Sequence, residues 1–250
     1  MRGIAATAGT LIALTLALSL APAGEGLIED GSRLGPELLP QGNFEKAKKN
    51  AKTPEGWDDV DDLTSFYVDR PDGNGKCLKF DSDVYDKEAR ARREEMKLPR
   101  DKRPPAKPKT PTTGPKYDTV AGGSGALLWS DYADVEPGAT YRLVAEVNTY
   151  APEVKIFIKG YMTHRGERRI AYKKYLKCKP EDEGELGKWK YYSTDFTPGN
   201  PYNKRIKIEW VKVMIMVFWP PGEAYVDNVS IKKIVKPGGD EEKKKKGKGG

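Results

Sequence analysis

Histidine and cysteine are nearly missing from this chain of 250 residues: there is one His, His164, and there are two Cys, Cys77 and Cys178. A zinc site of four Cys, or of two Cys and two His, is therefore excluded. The sequence also lacks a Gly-x-Ser-x-Gly elbow, a phosphate-cradling glycine loop and a His-Glu-x-x-His pair. His164 sits in the turn-like run Thr163-His164-Arg165-Gly166, and no signature pairs it with either Cys. Long apolar runs are lacking after the first 23 residues, and charged residues make up 32% of the chain, which excludes a polytopic membrane protein. Sugar hydrolysis would need two carboxylates held at a set separation in a cleft. The acidic runs Asp58–Asp62 and Glu181–Glu185 read instead as solvated loops. No enzyme is expected.

What is present begins with the two ends. Arg2 precedes an apolar stretch that thickens from Leu11 to Leu20, and Ala21-Pro22-Ala23 follows. This is the layout of a secretory signal over residues 1–23, with an apolar core far short of the roughly 20 residues a membrane span needs. The mature chain is expected outside the cytoplasm, in the periplasm or at the cell surface, with no membrane span after signal removal. In that compartment Cys77 and Cys178 form either a disulfide or two buried thiols. Residues 24–37 read as a linker. Residues 236–250 hold no large apolar side chain and read as a disordered Lys/Gly-rich tail.

Between the ends, apolar and polar residues alternate with period two. Tyr141, Leu143, Ala145 and Val147 alternate with Arg142, Val144, Glu146 and Asn148; Ile156 and Ile158 alternate with Lys155, Phe157 and Lys159. Turn signals such as Glu136-Pro137-Gly138, Thr197-Pro198-Gly199 and Pro220-Pro221-Gly222 separate these runs. The pattern predicts an all-β fold, an antiparallel β-sandwich of jelly-roll type over residues 38–235. Further strands are expected at 65–69 and 76–81. Residues 85–117 start as a short charged helix and become Pro/Lys/Thr-rich, which reads as a long, largely disordered insertion.

Four segments carry a family resemblance. They are Gly42-Asn43-Phe44-Glu45 with Thr53-Pro54-Glu55-Gly56-Trp57, then Gly75-Lys76-Cys77-Leu78, then Asp131–Thr149, and finally Gly222–Ile234 with Tyr225-Val226-Asp227-Asn228-Val229. In this order they resemble carbohydrate-binding modules with the galactose-binding-domain-like jelly-roll fold. The resemblance covers residues 38–81 and 118–235. It implies a structural calcium held by Glu45 and Asp227, with the backbone carbonyls of Gly42 or Asn43 and of Lys76 as further ligands; the alternative is that both carboxylates bond turn amides. It also implies that Trp57 packs over the core rim.

Sugar binding uses aromatic planes with amides or carboxylates beside them. Trp129, Tyr132, Tyr150, Tyr161 and Tyr172 are the candidate ligand-binding residues, while Trp189 and Trp210 read as structural. Regular alternation places Trp129 and Tyr132 on opposite faces unless a bulge intervenes. The net charge of +7 raises nucleic acid as a rival partner, but residues 85–117 carry +6 of it, the tail +3 and the signal +1. What is left is mildly acidic, with the stretch Arg165–Lys179 as a basic exception suited to an acidic polysaccharide. Export argues against nucleic acid. The function expected is a secreted, non-catalytic carbohydrate-binding module with a polysaccharide or envelope glycan as partner. The alternative is a structural or adhesion sandwich that docks on an envelope protein.

Overall fold

Alternating side chains need two layers to bury one face each, and the chain supplies two antiparallel sheets. The computed structural model describes residues 32–49, 52–199, 203 and 205–237. The signal segment and most of the C-terminal tail lie outside the described residues. Eleven strands and one α-helix follow in order: β1 (Arg33–Glu37), β2 (Ser65–Asp69), β3 (Lys76–Asp81), α1 (Asp86–Met96), β4 (Ala126–Trp129), β5 (Ala133–Asp134), β6 (Tyr141–Thr149), β7 (Val154–His164), β8 (Glu167–Cys178), β9 (Lys190–Phe196), β10 (Trp210–Val217) and β11 (Glu223–Val235). One sheet has the order β2-β3-β11-β6-β9, with β1 added on β11; the other has the order β4-β10-β7-β8, with β5 added on β10. The chain is a β-sandwich, as the period-two pattern predicts.

The core lies between the sheets. Leu78, Phe80, Leu143, Ala145, Val226 and Ile231 face Ile156, Ile158, Val211, Val213, Ile215 and Val217, all fully buried. Burying each aliphatic side chain of this size contributes about 1.5–3 kcal/mol. The opening motif closes one end of the core. Phe44 and Trp57 meet edge to face at 5.1 Å, and both are completely buried, so Trp57 is a core residue and not a rim residue. Gly42 is required there: a Cβ on it would lie 1.7 Å from the Val229 carbonyl, and its own carbonyl accepts the Val229 N–H at 2.8 Å. The opening and closing motifs, set far apart in the chain, thus meet at one backbone crossing.

Three expectations change. The linker read over 24–37 ends in β1, which pairs with β11 through Arg33↔Val235 and Leu34↔Ile234. The insertion 85–117 is not loose. Its helix α1 buries Ala89 and Arg92, and Arg92 donates to the carbonyls of Asp61 and Pro104 at 2.7 Å each. Further along, Arg103 bonds Asp59 at 2.6 Å, Lys109 bonds Asp81 at 2.5 Å, and Thr112 bonds Asp83. The arm's cations are matched to the sandwich's acids, which is why a Pro/Lys-rich segment can lie against it. Asp58–Asp62 is solvated only in part: Asp58 and Asp62 are exposed, as expected, but its centre is not. Asp61 is buried and accepts the N–H groups of Leu63, Thr64 and Ser65 at 2.7–3.0 Å.

Finally, Cys77 and Cys178 are both free and buried, and form no disulfide. Cys178 packs into the core between the sheets, whereas Cys77 belongs to the six-stranded sheet and feels the charges of Asp227 and Arg70. Burial pushes both thiols up, Cys77 to about 12, which keeps them protonated and unreactive.

Candidate functional site

In β10 the sequence Trp210-Val211-Lys212-Val213-Met214-Ile215-Met216-Val217 sends every second residue to the core. Trp210, Lys212, Met214 and Met216 therefore stand on the outer face of the five-stranded sheet. Strand register arranges their neighbours in bands across that sheet. Trp210 pairs with Tyr161. One pleat further, Lys212 pairs with Lys159 and Lys159 with Lys173, three lysines in a row over three strands. In the next band Trp129 pairs with Met214, Met214 with Phe157, and Phe157 with Tyr175. The face alternates aromatic and cationic bands.

Cations and rings interlock on it. Lys159 lies 4.6 Å and Lys212 5.6 Å from the Trp129 ring centroid, and Lys212 is 5.0 Å from Tyr132. Arg168 stacks on Tyr132 at 4.4 Å and on Trp210 at 4.5 Å, and Lys173 covers Phe157 at 4.9 Å. Tyr132 and Tyr161 meet edge to face at 5.0 Å. Tyr175 and Tyr132 are exposed, at 50% and 37%, whereas Phe157 and Tyr161 form a buried floor. Trp129 and Tyr132 share this face because the strand breaks between β4 and β5. Ser130 Oγ takes the Val213 N–H at 2.9 Å and donates to the Asp131 carbonyl at 2.7 Å, and this irregularity turns Tyr132 to the side of Trp129.

Charge on the face is uncompensated in its centre. Glu153 bonds Lys155 at 2.7 Å and Lys177 at 3.1 Å. Burial works to raise its carboxyl, but hydrogen bonds from the two ammonium groups outweigh that and hold it below the usual range. Lys212 is drawn toward Asp58 only electrostatically. Among the described residues, Lys159, Lys173 and Arg168 meet no carboxylate at ion-pair distance. Burial, and then the Lys173 ammonium opposite, depress the basicity of Lys159.

Of the five predicted aromatics, three gather here: Trp129, Tyr132 and Tyr161. Tyr150 does not, because it packs on Tyr225 of the other sheet at 6.2 Å. Tyr172 turns inward and stacks on Phe196 at 6.5 Å. Trp210, read as structural, is on the outer face; its alternation with Val211 and Val213 was the available signal. The basic stretch 165–179 is split: Arg168 and Lys173 serve the face, while Lys174 turns away to the Asp195 carbonyl at 2.6 Å.

The second expected site, calcium between Glu45 and Asp227, does not fit the residues present. Asp227 is 2% exposed and accepts from Arg70 Nη1, which also bonds Glu146 at 2.9 Å. The same guanidinium reaches Asp72 at 2.9 Å and stacks on Trp189 at 3.9 Å. Glu45 is engaged elsewhere, accepting the Lys76 N–H at 3.2 Å, and the Gly42 carbonyl is taken by Val229. Among the described residues no three His, Cys, Asp or Glu side chains group to hold a metal ion. A fixed cation, Arg70, stands where a metal was expected. It serves three carboxylates with one charge. Burial therefore wins at the deepest of them and pushes Asp227 up to about 6, against its hydrogen bond from Arg70 and with repulsion from Glu146.

No protein-family model and no curated protein matches this chain. Solved structures similar to it include a family 16 carbohydrate-binding module, 14% identical, covering 78% of this chain and 98% of its own, at a TM-score of 0.44. A CBM61 module in complex with β-1,4-galactotriose is 12% identical, with coverage of 80% and 99% and a TM-score of 0.40. A Stig cyclase from Fischerella sp. TAU is 10% identical, with coverage of 80% and 98% and a TM-score of 0.44.

Proposed function

We propose that this chain is an exported, non-catalytic glycan-binding module, and that its binding surface is the outer face of the five-stranded sheet. The observation that carries this reading is the banding of that face. Trp129, Tyr132, Trp210 and Tyr175 present ring surface on one side of one sheet, interleaved with hydrogen-bond donors on Lys159, Lys173, Lys212 and Arg168. Sugar rings bring C–H faces that pack on aromatic planes, and hydroxyls that accept from ammonium and guanidinium groups. Trp129, Trp210 and Tyr175 sit on strands, and Tyr132, in the break between β4 and β5, is held edge to face against Tyr161, so the surface is largely set before ligand arrives, which lowers the ordering cost of binding. Export is drawn from the signal-like residues 1–23.

The direct test is affinity electrophoresis and glycan-array binding of the purified chain. Trp129→Ala is expected to weaken binding by about tenfold or more, the loss usual for an aromatic anchor at the centre of a contact surface. Tyr150→Ala, on the opposite sheet, is expected to change nothing. A wild-type chain that is retarded by no neutral or acidic polysaccharide is a docking or spacer domain instead, and the proposal fails.

A further inference from the structure

Like charges directly opposite one another in neighbouring strands are destabilising. Lys212, Lys159 and Lys173 occupy three such positions in succession, with Lys212 and Lys173 flanking Lys159 on the two neighbouring strands. No described carboxylate pairs with Lys159 or Lys173. At two other sites cations and carboxylates are closely matched: Arg70 holds Asp72, Glu146 and Asp227, and Asp59 holds Lys48, Arg100 and Arg103. The lysine row departs from that pattern on the very surface that carries the exposed rings.

We infer that the ligand of this face is an anionic polysaccharide, a polymer whose repeating sugar bears a carboxylate or a sulfate. This rests on the glycan-binding reading above and narrows it. Neighbouring strands lie about 4.8 Å apart, a spacing on the scale of one sugar residue. A chain laid across the strands along the row would bring successive anionic groups to Lys212, Lys159 and Lys173. Its sugar rings would then lie against the bands on either side, Trp129–Tyr175 and Tyr132–Trp210. Arg168, stacked on Tyr132 and Trp210, supplies a planar fork for a carboxylate or sulfate at the edge of the row. The rings add what a bare cationic patch lacks: apolar surface on which the C–H faces of sugar rings can pack.

The test compares four polymers on the full chain by calorimetry and affinity electrophoresis. These are polygalacturonate, the same polymer fully methyl-esterified, chondroitin sulfate, and double-stranded DNA. Binding to polygalacturonate or to chondroitin sulfate is expected; binding to polygalacturonate shows that a carboxylate suffices, and binding to chondroitin sulfate alone, which carries both groups, shows that the sulfate is needed. Methyl-esterification is expected to cut affinity by about tenfold or more, as is raising ionic strength from about 0.05 M to about 0.5 M. The triple variant Lys159→Gln, Lys173→Gln, Lys212→Gln is expected to lose that salt and ester dependence. It should also melt at the same temperature or higher, since repulsion is removed, so loss of binding cannot be blamed on misfolding. Equal affinity for the esterified polymer, or binding confined to neutral glycans, overturns this inference and leaves the glycan-binding proposal standing. Binding to no glycan at all overturns both. Binding to DNA as tight as to the acidic glycans, and unaffected by Trp129→Ala, shows an unspecific cationic surface and also overturns it.

Discussion

Asp227 shows how one side chain can be read two ways. In the sequence it belongs to a Val-Asp-Asn motif and looks like a metal ligand. In the fold it is a buried carboxylate sharing one guanidinium with Glu146 and Asp72. Its folded pKa of about 6 lies above the ordinary aspartate value of 3.8. A raised pKa means that the native state binds the proton more tightly than the unfolded chain does. Its contribution to stability is therefore fully present below 3.8 and lost as pH rises through about 6. About two pH units of difference correspond to about 3 kcal/mol. Lowering pH from about 7 to about 5 is expected to raise the melting temperature by several degrees. In Asp227→Asn the rise should vanish while the protein stays folded, because Arg70 keeps Glu146 and Asp72. A wild-type melting temperature that is flat or falling over that interval counts against the assignment.

At the scale of elements, the most informative piece is α1. Its eleven residues are strongly charged, and from sequence alone such a helix has no reason to stay attached. Attachment comes from two short anchors, Ala89 in the core and Arg92 beneath the turn at Asp61. Arg92→Ala removes donors from the carbonyls of Asp61 and Pro104, two acceptors that the arm covers. The expected cost is about 2–4 kcal/mol, measured by urea denaturation. It should be accompanied by new proteolytic cleavage within 97–117. Arg90→Ala, three-quarters exposed on the same helix, is the control and should cost little. The break between β4 and β5 is the other decisive element. A period-two reading separates Trp129 from Tyr132, and only the hydrogen bonds of Ser130 reunite them. Trp210 was within reach of the same reading: a Trp alternating with buried valines belongs to the outer face.

For the molecule as described, backbone pairing joins the first and last strands. β1 pairs with β11, Val229 bonds Gly42, and Arg70 ties Asp227 to β6 through Glu146. Melting curves with and without a calcium chelator are therefore expected to superimpose, and a drop of several degrees on chelation would show a metal that these residues do not accommodate. The charge balance shifts as well. Three cations of residues 85–117, Arg100, Arg103 and Lys109, pair with Asp59 and Asp81 of the sandwich, in place of hanging free. Sequence by itself determined the fold class, most strand positions and the resemblance of the opening and closing motifs to those of carbohydrate-binding modules. All three follow from local alternation, from turn residues, and from a glycine that nothing else can replace at Gly42. Tertiary structure alone decided which aromatics share a face, which carboxylates own which cations, and that three lysines stand side by side. Those facts depend on strand register, which pairs residues far apart in the chain and leaves no local trace in it.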